Sequence, residues 1–494
     1  MNKIFRIHSS DNVAVALKDL KAGEMAAAGA ASVTVREDIK SGHKVALRNI
    51  APGENIIKYG FPIGTASAPV PAGAWVHTHN MKTRLGDLLE YSYHPSFQPL
   101  PAMSPRTFAG YRRKDGSVGI RNEVWILPTV GCVNGVVREI ERQSQKFLTP
   151  GIDGVYSYTH PYGCSQLGED LANTQKILVG LIRHPNAGAV LVVSLGCENN
   201  TLAQMKRAIG SYDEDRVKFL ICQESEDEVA DGVRLTGQLC RYAAQFRREP
   251  CAAGELTVGL KCGGSDGFSG ITANPLVGAF SDRLVSQGGT TILTEVPEMF
   301  GAETLLMRRC RNRDVFEKTV ALINDFKRYF ISHHQKIDSN PSPGNKSGGI
   351  TTLEEKSLGC VQKGGTAPVC DVLPYGGPAV RKGLNLLQAP GNDLVASAAL
   401  AASGAHLVLF TTGRGTPFGC PVPTVKISSN SNLARHKSNW IDFDAGRLLS
   451  GVDMQTLSDE FFDRVLDIAS GVKKAKSESL DKHDLAIFKD GITL

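Results

Sequence analysis

Residues 121–147 read RNEVWILPTVGCVNGVVREIERQSQKF. Glu123–Val130 is a short, mostly apolar run of the length expected for a strand covered on both faces. The turn GCVNG follows, and from Val136 to Phe147 the apolar residues return at helical spacing. A strand that hands over to an amphipathic helix through a Gly-bearing turn is the first half of a βαβ crossover.

The same alternation continues downstream. Strand-like runs at Gly154–Thr159, Ala189–Leu195, Val217–Cys222, Leu256–Lys261 and Thr290–Val296 are interleaved with helical patterns at Leu171–Ile182, Asp227–Phe246, Asn274–Ser286 and Asp314–Ser332. Repeated βα units predict parallel sheets with helices on both faces, a Rossmann-like α/β body. Residues 335–365 read as a long loop rich in Gly, Ser, Pro and Asn, of a length that is usually either functional or disordered. Beyond it, Leu384–Ala389, a helix from Asn392 to Ala402 and Leu407–Thr412 form one more crossover, with Asn392 as a plausible N-cap.

Upstream the pattern changes. Ala31–Arg36, Lys44–Leu47, Asn55–Tyr59 and Ala74–His79 are short alternating runs separated by Gly and Pro turns, which predicts a small, mostly β module. Prolines at positions 95, 99, 101 and 105 in a polar tract suggest a linker. The expected layout is a β module over 1–95, a linker over 96–115, and α/β domains over 116–335 and 336–494.

Composition narrows the functional classes. The 494 residues carry a net charge of only +5, with no Lys/Arg-rich run, so nothing favours nucleic acid or an anionic membrane surface. The opening MNKIFRIHSSDNVAVALKDL lacks an apolar signal-peptide core, and no run approaches a membrane span. Eleven cysteines without such a signal read as thiols rather than a disulfide framework, which predicts a cytoplasmic protein.

Four of these cysteines follow predicted strands directly: Cys132, Cys164, Cys197 and Cys262. Ligands of open α/β sheets bind at the carboxyl ends of strands, and thiolates suit iron, zinc and iron–sulfur clusters. We therefore expect these four thiols to converge on one metal site. His77 and His79, two apart on a predicted strand, would share a face and serve a metal, proton transfer or a plain exposed surface. His160 lies four residues from Cys164, and Glu295 stands at a strand end as a potential base. Glu298, after Pro297, reads as a helix-dipole partner. Ser265, Asp266, Asn345, Lys346, Asn392, Asp393 and Arg414 occupy polar or Gly-flanked turns and fit a small, hydroxylated, anionic ligand.

The blocks HSSDNVAVAL, KYGFPIG, RNEVWILPTVGCVNG, YGCSQLG, HPNAGAVLVVSLGCENN, CGGSDGFSGITANP, TEVPEMFGAE, NPSPGNKSGGITTLEEKSLGC, APGNDLVA and GRGTPFG span nearly the whole chain. They resemble the altronate/galactarate dehydratases. The resemblance implies a β-clip (SAF) fold for the N-terminal module, carrying the His77/His79 motif. It also implies an iron-dependent hydro-lyase of hexuronate catabolism that converts D-altronate to 2-dehydro-3-deoxy-D-gluconate. The iron would be Fe(II) or an iron–sulfur cluster. Dehydration of another sugar acid such as galactarate, and non-catalytic binding of a sugar acid, are the alternatives. The implied partner is a small sugar acid, and a homo-oligomer is compatible with the chain. In this frame His77, His79, His160, Glu295 and Lys346 are the expected catalytic groups. Ser265, Asp266, Asn345, Asn392, Asp393 and Arg414 would hold substrate, and the four strand-end cysteines would hold iron.

Overall fold

The computed structural model describes residues 3–29, 31–86 and 88–494. The N-terminal module is all β. A four-stranded antiparallel sheet is built from Ile4–Phe5, Val13–Ala16, Lys44–Ala46 and Trp75–Val76, beside smaller sheets of Met25–Ala28 with Ala31–Thr34 and of Asn55–Lys58, Phe61–Ala66 and Met81–Lys82. One set of its apolar side chains (Ile4, Ala14, Leu20, Val45) forms a private core, while Val13, Ala46, Ile56 and Ile63 join the core of the body. The module is thus fastened to the body through one of its own faces.

The predicted β strand carrying both histidines stops early. Trp75–Val76 is the strand, and residues 77–80 turn away. Asn80 causes this: its Oδ1 accepts from the His77 amide at 3.0 Å and its Nδ2 donates to the Trp75 carbonyl at 2.8 Å. His77 is buried and His79 exposed, so they do not share a face.

The expected linker contains a strand. Thr107–Arg112 pairs with Val118–Gly119 and with Arg248–Ala252 in a three-stranded antiparallel sheet. The preceding segment lies along the body, with Tyr91 donating to Glu303 and Tyr93 to the Cys310 carbonyl.

The body holds two parallel sheets. In the first the order is Gly154–Ser157, Glu123–Pro128, Ala187–Ser194, Val217–Ile221. Alternation sorts its side chains: Val124, Ile126, Ala189 and Leu191 pack with Val137 and Ile140 of helix Asn134–Ser144. Trp125, Leu127, Val190 and Val192 pack on the other face with Ile177 and Leu181 of helix Gly168–Arg183.

The second sheet has seven parallel strands, in the order Val369–Leu373, Gly383–Leu387, Thr290–Leu293, Thr257–Cys262, Leu407–Thr412, Thr424–Ser428, Phe443–Asp444. It draws strands from both sides of residue 335, so the separation expected between 116–335 and 336–494 does not hold. Strand pairing ties the two segments into one sheet, because the crossover through residues 294–382 returns beside Thr290–Leu293. Thr257–Cys262 comes first in sequence and sits inside the sheet, with later strands leading away on both sides. Its carboxyl end is the point where strand order reverses.

The predicted loop over 335–365 contains the helix Leu353–Cys360, capped by Thr352, whose side chain accepts from the Glu355 amide. All eight helical residues are buried. A helix covered on every side has no polar face, which is why no amphipathic period marks it in the sequence.

Candidate active site

Three ligand atoms converge at the switch point of the seven-stranded sheet. Cys262 Sγ lies 3.4 Å from Cys360 Sγ, and both sulfurs are 3.1 Å from Glu298 Oε2. Cys262 ends its strand, Glu298 sits on the turn after Thr290–Leu293, and Cys360 closes the buried helix. The three are wholly or almost wholly buried.

Buried lysines surround this group. Lys363 Nζ donates to Cys262 Sγ at 2.9 Å, and Lys356 Nζ is 2.6 Å from Glu298 Oε1. Lys261 Nζ bridges Glu295 Oε1 at 2.5 Å and Asp393 Oδ1 at 2.9 Å. Bare charges at such depth are costly, so each cation here is matched by a carboxylate or thiolate. Burial alone would raise the Glu298 carboxyl, but Lys356 and Lys363 hold it well below the usual carboxylate range. The hydrogen bond from Cys360, with Lys363 and Lys356 behind it, pulls the Cys262 thiol down to about 6. Cys360, as the donor in that bond and itself buried, is raised. The two sulfurs are thus driven apart, Cys262 toward the thiolate and Cys360 toward the thiol.

A cavity of about 640 Å³ opens onto this centre. Its polar wall holds Cys262, Glu298, Asn340, Asn345, Lys356 and Asp393; Phe326, Tyr329 and Phe330 of helix Arg313–Ser332 supply the apolar wall. Lys356 also donates to Asn340 Oδ1 at 3.1 Å and Asn345 Oδ1 at 3.3 Å. Gly263 must stay small: a Cβ there would sit 2.7 Å from Asp393 Oδ2.

Of the residues expected from sequence, Cys262, Asn345 and Asp393 line this cavity. Glu295 lies beneath it rather than in it. Its left-handed backbone (φ 69°) turns the carboxylate back, where Oε2 accepts from the Cys262 amide at 2.9 Å and Oε1 meets Lys261. Both oxygens are engaged, so Glu295 props the site and is not its free base. Glu298, read as a dipole partner, is instead at the centre.

The remaining expectations resolve elsewhere. Asp266 Oδ1 accepts from the Phe268 and Ser269 amides and the Ser269 and Ser429 hydroxyls, and Oδ2 accepts from Asn430, which binds loops and not ligand. Ser265 lies outside the main cavity, and its carbonyl accepts from Asn345 at 2.8 Å. Asn392 caps helix Asp393–Ala402, accepting from the Leu394 and Val395 amides. Arg414 is exposed and donates to Ser347 Oγ at 3.0 Å. Lys346 offers its carbonyl to His77 Nε2 at 2.9 Å, so both belong to the seam between module and body. His79 is exposed, its ring 4.9 Å from that of Trp75. His160 accepts from the Tyr162 amide at Nδ1 and faces the Pro128 carbonyl through Nε2, and burial lowers it to about 4; it is a neutral loop brace with no nitrogen left for proton transfer.

The four cysteines do not form one site. Cys262 is buried in the seven-stranded sheet, whereas Cys132, Cys164 and Cys197 are exposed at the edge of the four-stranded one. All eleven cysteines are free thiols. Cys360, Lys356, Lys363 and Lys261 were not singled out from sequence. The signal available was the buried helix itself: two consecutive carboxylates and a lysine, EEKSLGC, in a stretch without a polar face.

The N-terminal module supports this centre from behind. Lys44 and Lys58 both pair with Glu355 at 2.8 Å, all three side chains being 0–1% exposed. Thr83 and the Arg84 amide donate to Glu354. These contacts fix the helix that carries Lys356 and Cys360.

Comparison with known proteins agrees with this layout. Residues 2–84 match the altronate/galactarate dehydratase SAF domain, residues 110–244 the D-galactarate dehydratase/altronate hydrolase second domain, and residues 253–493 the D-galactarate/altronate dehydratase C-terminal domain. Altronate dehydratase of Escherichia coli is 56% identical over 99% of both chains. The chain belongs to the altronate/galactarate dehydratase family. Altronate dehydratase of Bacillus subtilis is 54% identical over the full length of both, and galactarate dehydratase (L-threo-forming) of E. coli is 34% identical over 98% of this chain and 96% of its own. The family's SAF domain is the β module described above, and the C-terminal match covers the whole seven-stranded sheet.

For a metal, the donor set Cys262, Glu298 and Cys360 brings two sulfurs and a carboxylate oxygen within 4.8 Å of one another. Such a set suits a borderline-soft divalent ion such as Fe(II) or Zn(II). The ion would have to displace the Cys360 proton and share Cys262 with Lys363.

Proposed function

We propose that this protein is a hydro-lyase that converts D-altronate to 2-dehydro-3-deoxy-D-gluconate in hexuronate catabolism. The reading is supported by the 54–56% identity to two altronate dehydratases along the whole chain. Its chemistry has two demands. The proton beside the substrate carboxylate must be removed while negative charge builds on the enediolate, and a hydroxide must leave the next carbon.

The cavity answers the first demand with positive charge. Lys356, flanked by Asn340 and Asn345, faces the cavity and would take the substrate carboxylate; Lys363, behind Cys262, adds to the same field. Asp393, about one-third exposed and bonded to Lys261 through Oδ1, is the carboxylate we assign to accept the proton. For the second demand, Fe(II) on Cys262, Cys360 and Glu298 would act as a Lewis acid toward the leaving oxygen. Galactarate is the second substrate to consider, on the weaker 34% relationship.

The test is product formation from a panel of sugar acids, after chelation and after ferrous iron is restored. Turnover of D-altronate, lost on chelation and recovered with iron, is expected. Preference for galactarate would reassign the substrate, and full turnover in rigorously metal-free protein would remove iron from the reaction.

A further inference from the structure

The exposed thiols of the four-stranded sheet have no part in the cavity described above. Cys132, Cys164 and Cys197 each follow the carboxyl end of a strand, and those three strands are immediate neighbours: Gly154–Ser157, Glu123–Pro128 and Ala187–Ser194. Adjacent strands lie about 4.8 Å apart, so the loops leaving them start close together.

Hydrogen bonds then lace these loops to one another. The Gly131 amide donates to the Tyr162 carbonyl at 2.8 Å and the Asn200 amide to the Gly163 carbonyl at 2.9 Å. The Ser165 amide donates to Asn199 Oδ1 at 2.7 Å, and Asn200 Nδ2 donates to the Thr129 carbonyl at 3.0 Å. Each brace involves a residue within three positions of one of the thiols. Gly163, at φ 100°, lies so close to the first loop that a Cβ would meet the Thr129 oxygen at 2.0 Å. Glu198 is buried and accepts from the Ser194 and Thr129 hydroxyls and the Leu195 and Gly196 amides, locking the turn that bears Cys197.

Beside these thiols three polar side-chain atoms are buried without a hydrogen-bond partner among the described residues: Asn134 Oδ1, Gln166 Nε2 and Asn200 Oδ1. Asn200 and Gln166 are at most 2% exposed. An unpaired buried polar atom is costly, and one follows each cysteine by two or three residues. A rigid, braced edge that carries exposed thiols and unsatisfied polar groups is built as if a further polar body belonged there.

A single ion does not fit that body. Thiolates around one zinc or iron stand about 4 Å apart, given metal–sulfur bonds of about 2.3 Å. The only group of metal-binding atoms within 4.8 Å of one another among the described residues is the Cys262 set. A cluster spreads its metal atoms and holds its thiolates farther apart.

We propose that Cys132, Cys164 and Cys197 bind a four-iron, four-sulfide cluster through three thiolates, leaving the fourth iron for an oxygen ligand. Binding from a thiolate-ligated cluster is ligand exchange: three iron–thiolate bonds to the carrier break, three to the protein form, the departing thiolates take the three protein thiol protons, and no iron changes oxidation state. Gln223, whose Nε2 is 3.5 Å from Cys197 Sγ, supplies a hydrogen bond to one ligand sulfur.

The test is anaerobic reconstitution of the full chain with ferric iron, sulfide and excess thiol, the thiol supplying the two electrons that bring four ferric ions to the mixed-valence cluster. Iron, acid-labile sulfide, the visible charge-transfer absorption and the spin resonance of the reduced protein are measured. About four sulfides per chain are expected. Cys132→Ser, Cys164→Ser and Cys197→Ser should each lose most of the sulfide and the absorption; Cys360→Ser and Cys222→Ser should keep them. Because the sites are exposed, circular dichroism should be unchanged. In the wild-type protein, reconstitution should also shield these three thiols from iodoacetamide, read by mass spectrometry, which needs no variant. Iron bound without labile sulfide, a cluster retained in the triple variant, or three thiols alkylated as fast after reconstitution as before would each overturn the proposal. None of these readouts depends on turnover, so a wrong substrate would leave the result intact.

Discussion

The two parallel sheets place cysteines at the same topological position and make different things of them. At the edge of the four-stranded sheet Cys132, Cys164 and Cys197 face solvent, in loops braced mainly by backbone groups and amides. At the edge of the seven-stranded sheet Cys262 is buried beneath a segment from elsewhere in the chain, and its neighbours are another thiol, carboxylates and lysines. Strand-end position brings a side chain to the functional edge in both cases. Its chemistry is decided by what covers that edge. Over the larger sheet the cover is residues 340–363, and the N-terminal module holds the cover down.

The largest expected effect comes from releasing that cover. Glu355 is the shared anion of Lys44 and Lys58, and removing it strands two cations in the interior. Glu355→Ala should lower the unfolding free energy by about 3–5 kcal/mol, measured by denaturant melts. A loss below about 1 kcal/mol would mean that module and body are not coupled through this triad. The same pair gives stability a sign with pH. Burial opposes ionisation of Glu355, but Lys44 and Lys58 outweigh it and depress its carboxyl to about 2. The stabilisation is therefore fully present above the ordinary carboxylate range and is lost as pH falls toward about 2.

Next in size is the electrostatic field of the cavity. Lys356→Met removes the cation facing the substrate carboxylate, and turnover should fall by about 10²–10³. An equal loss in Asp393→Asn, with C2 proton exchange abolished, would support the assignment of base and cation. Retained exchange in that variant would move the base elsewhere.

Much of the architecture was legible in the residues, since buried parallel strands and amphipathic helices leave clear periodic marks: Glu123–Pro128, Leu407–Thr412 and Arg313–Ser332 follow their patterns closely. Other features were not. Asn80 ends the histidine strand by a side-chain bond that no alternation reveals. Leu353–Cys360 lost its amphipathic period to complete burial. The separation of Cys262 from the other strand-end cysteines depends on which sheet each strand joins, and that is set by pairing between segments up to about 150 residues apart, such as Thr257–Cys262 with Leu407–Thr412. The cavity residues Asn345 and Asp393 were legible because polar groups in Gly-flanked turns have few structural uses. Lys356 and Lys363 were not, because lysines ordinarily lie on surfaces.

A smaller effect tests whether the thiol pair behaves as its burial implies. The Cys360 bond is the largest cause of the depressed Cys262 pKa. In metal-free protein Cys360→Ala should therefore raise it from about 6, so that the thiolate persists over a narrower range. Ultraviolet thiolate absorption against pH would follow the same group directly. In terms of stability, a thiol depressed on folding contributes above its unfolded pKa and loses that contribution as pH falls through about 6. An unmoved absorption midpoint in the metal-free variant would show that the lysines alone set the ionisation.

The smallest effect separates a cap from a ligand. Asn392 stands in APGNDLVA between the cavity residues Gly391 and Asp393, and its sequence position predicts a contact with substrate. Its Oδ1 instead accepts from the Leu394 and Val395 amides, satisfying donors at the start of Asp393–Ala402. Removing an Asn cap costs about 1 kcal/mol, and the loss falls on a helix that begins with a cavity residue. Asn392→Ala should thus lower stability by about 1 kcal/mol and reduce kcat slightly through the positioning of Asp393, with KM nearly unchanged. Asn392→Ser, which restores a capping oxygen but not an amide, should recover both quantities. A tenfold rise in KM that Ser does not rescue would return Asn392 to the substrate and leave the helix to some other cap.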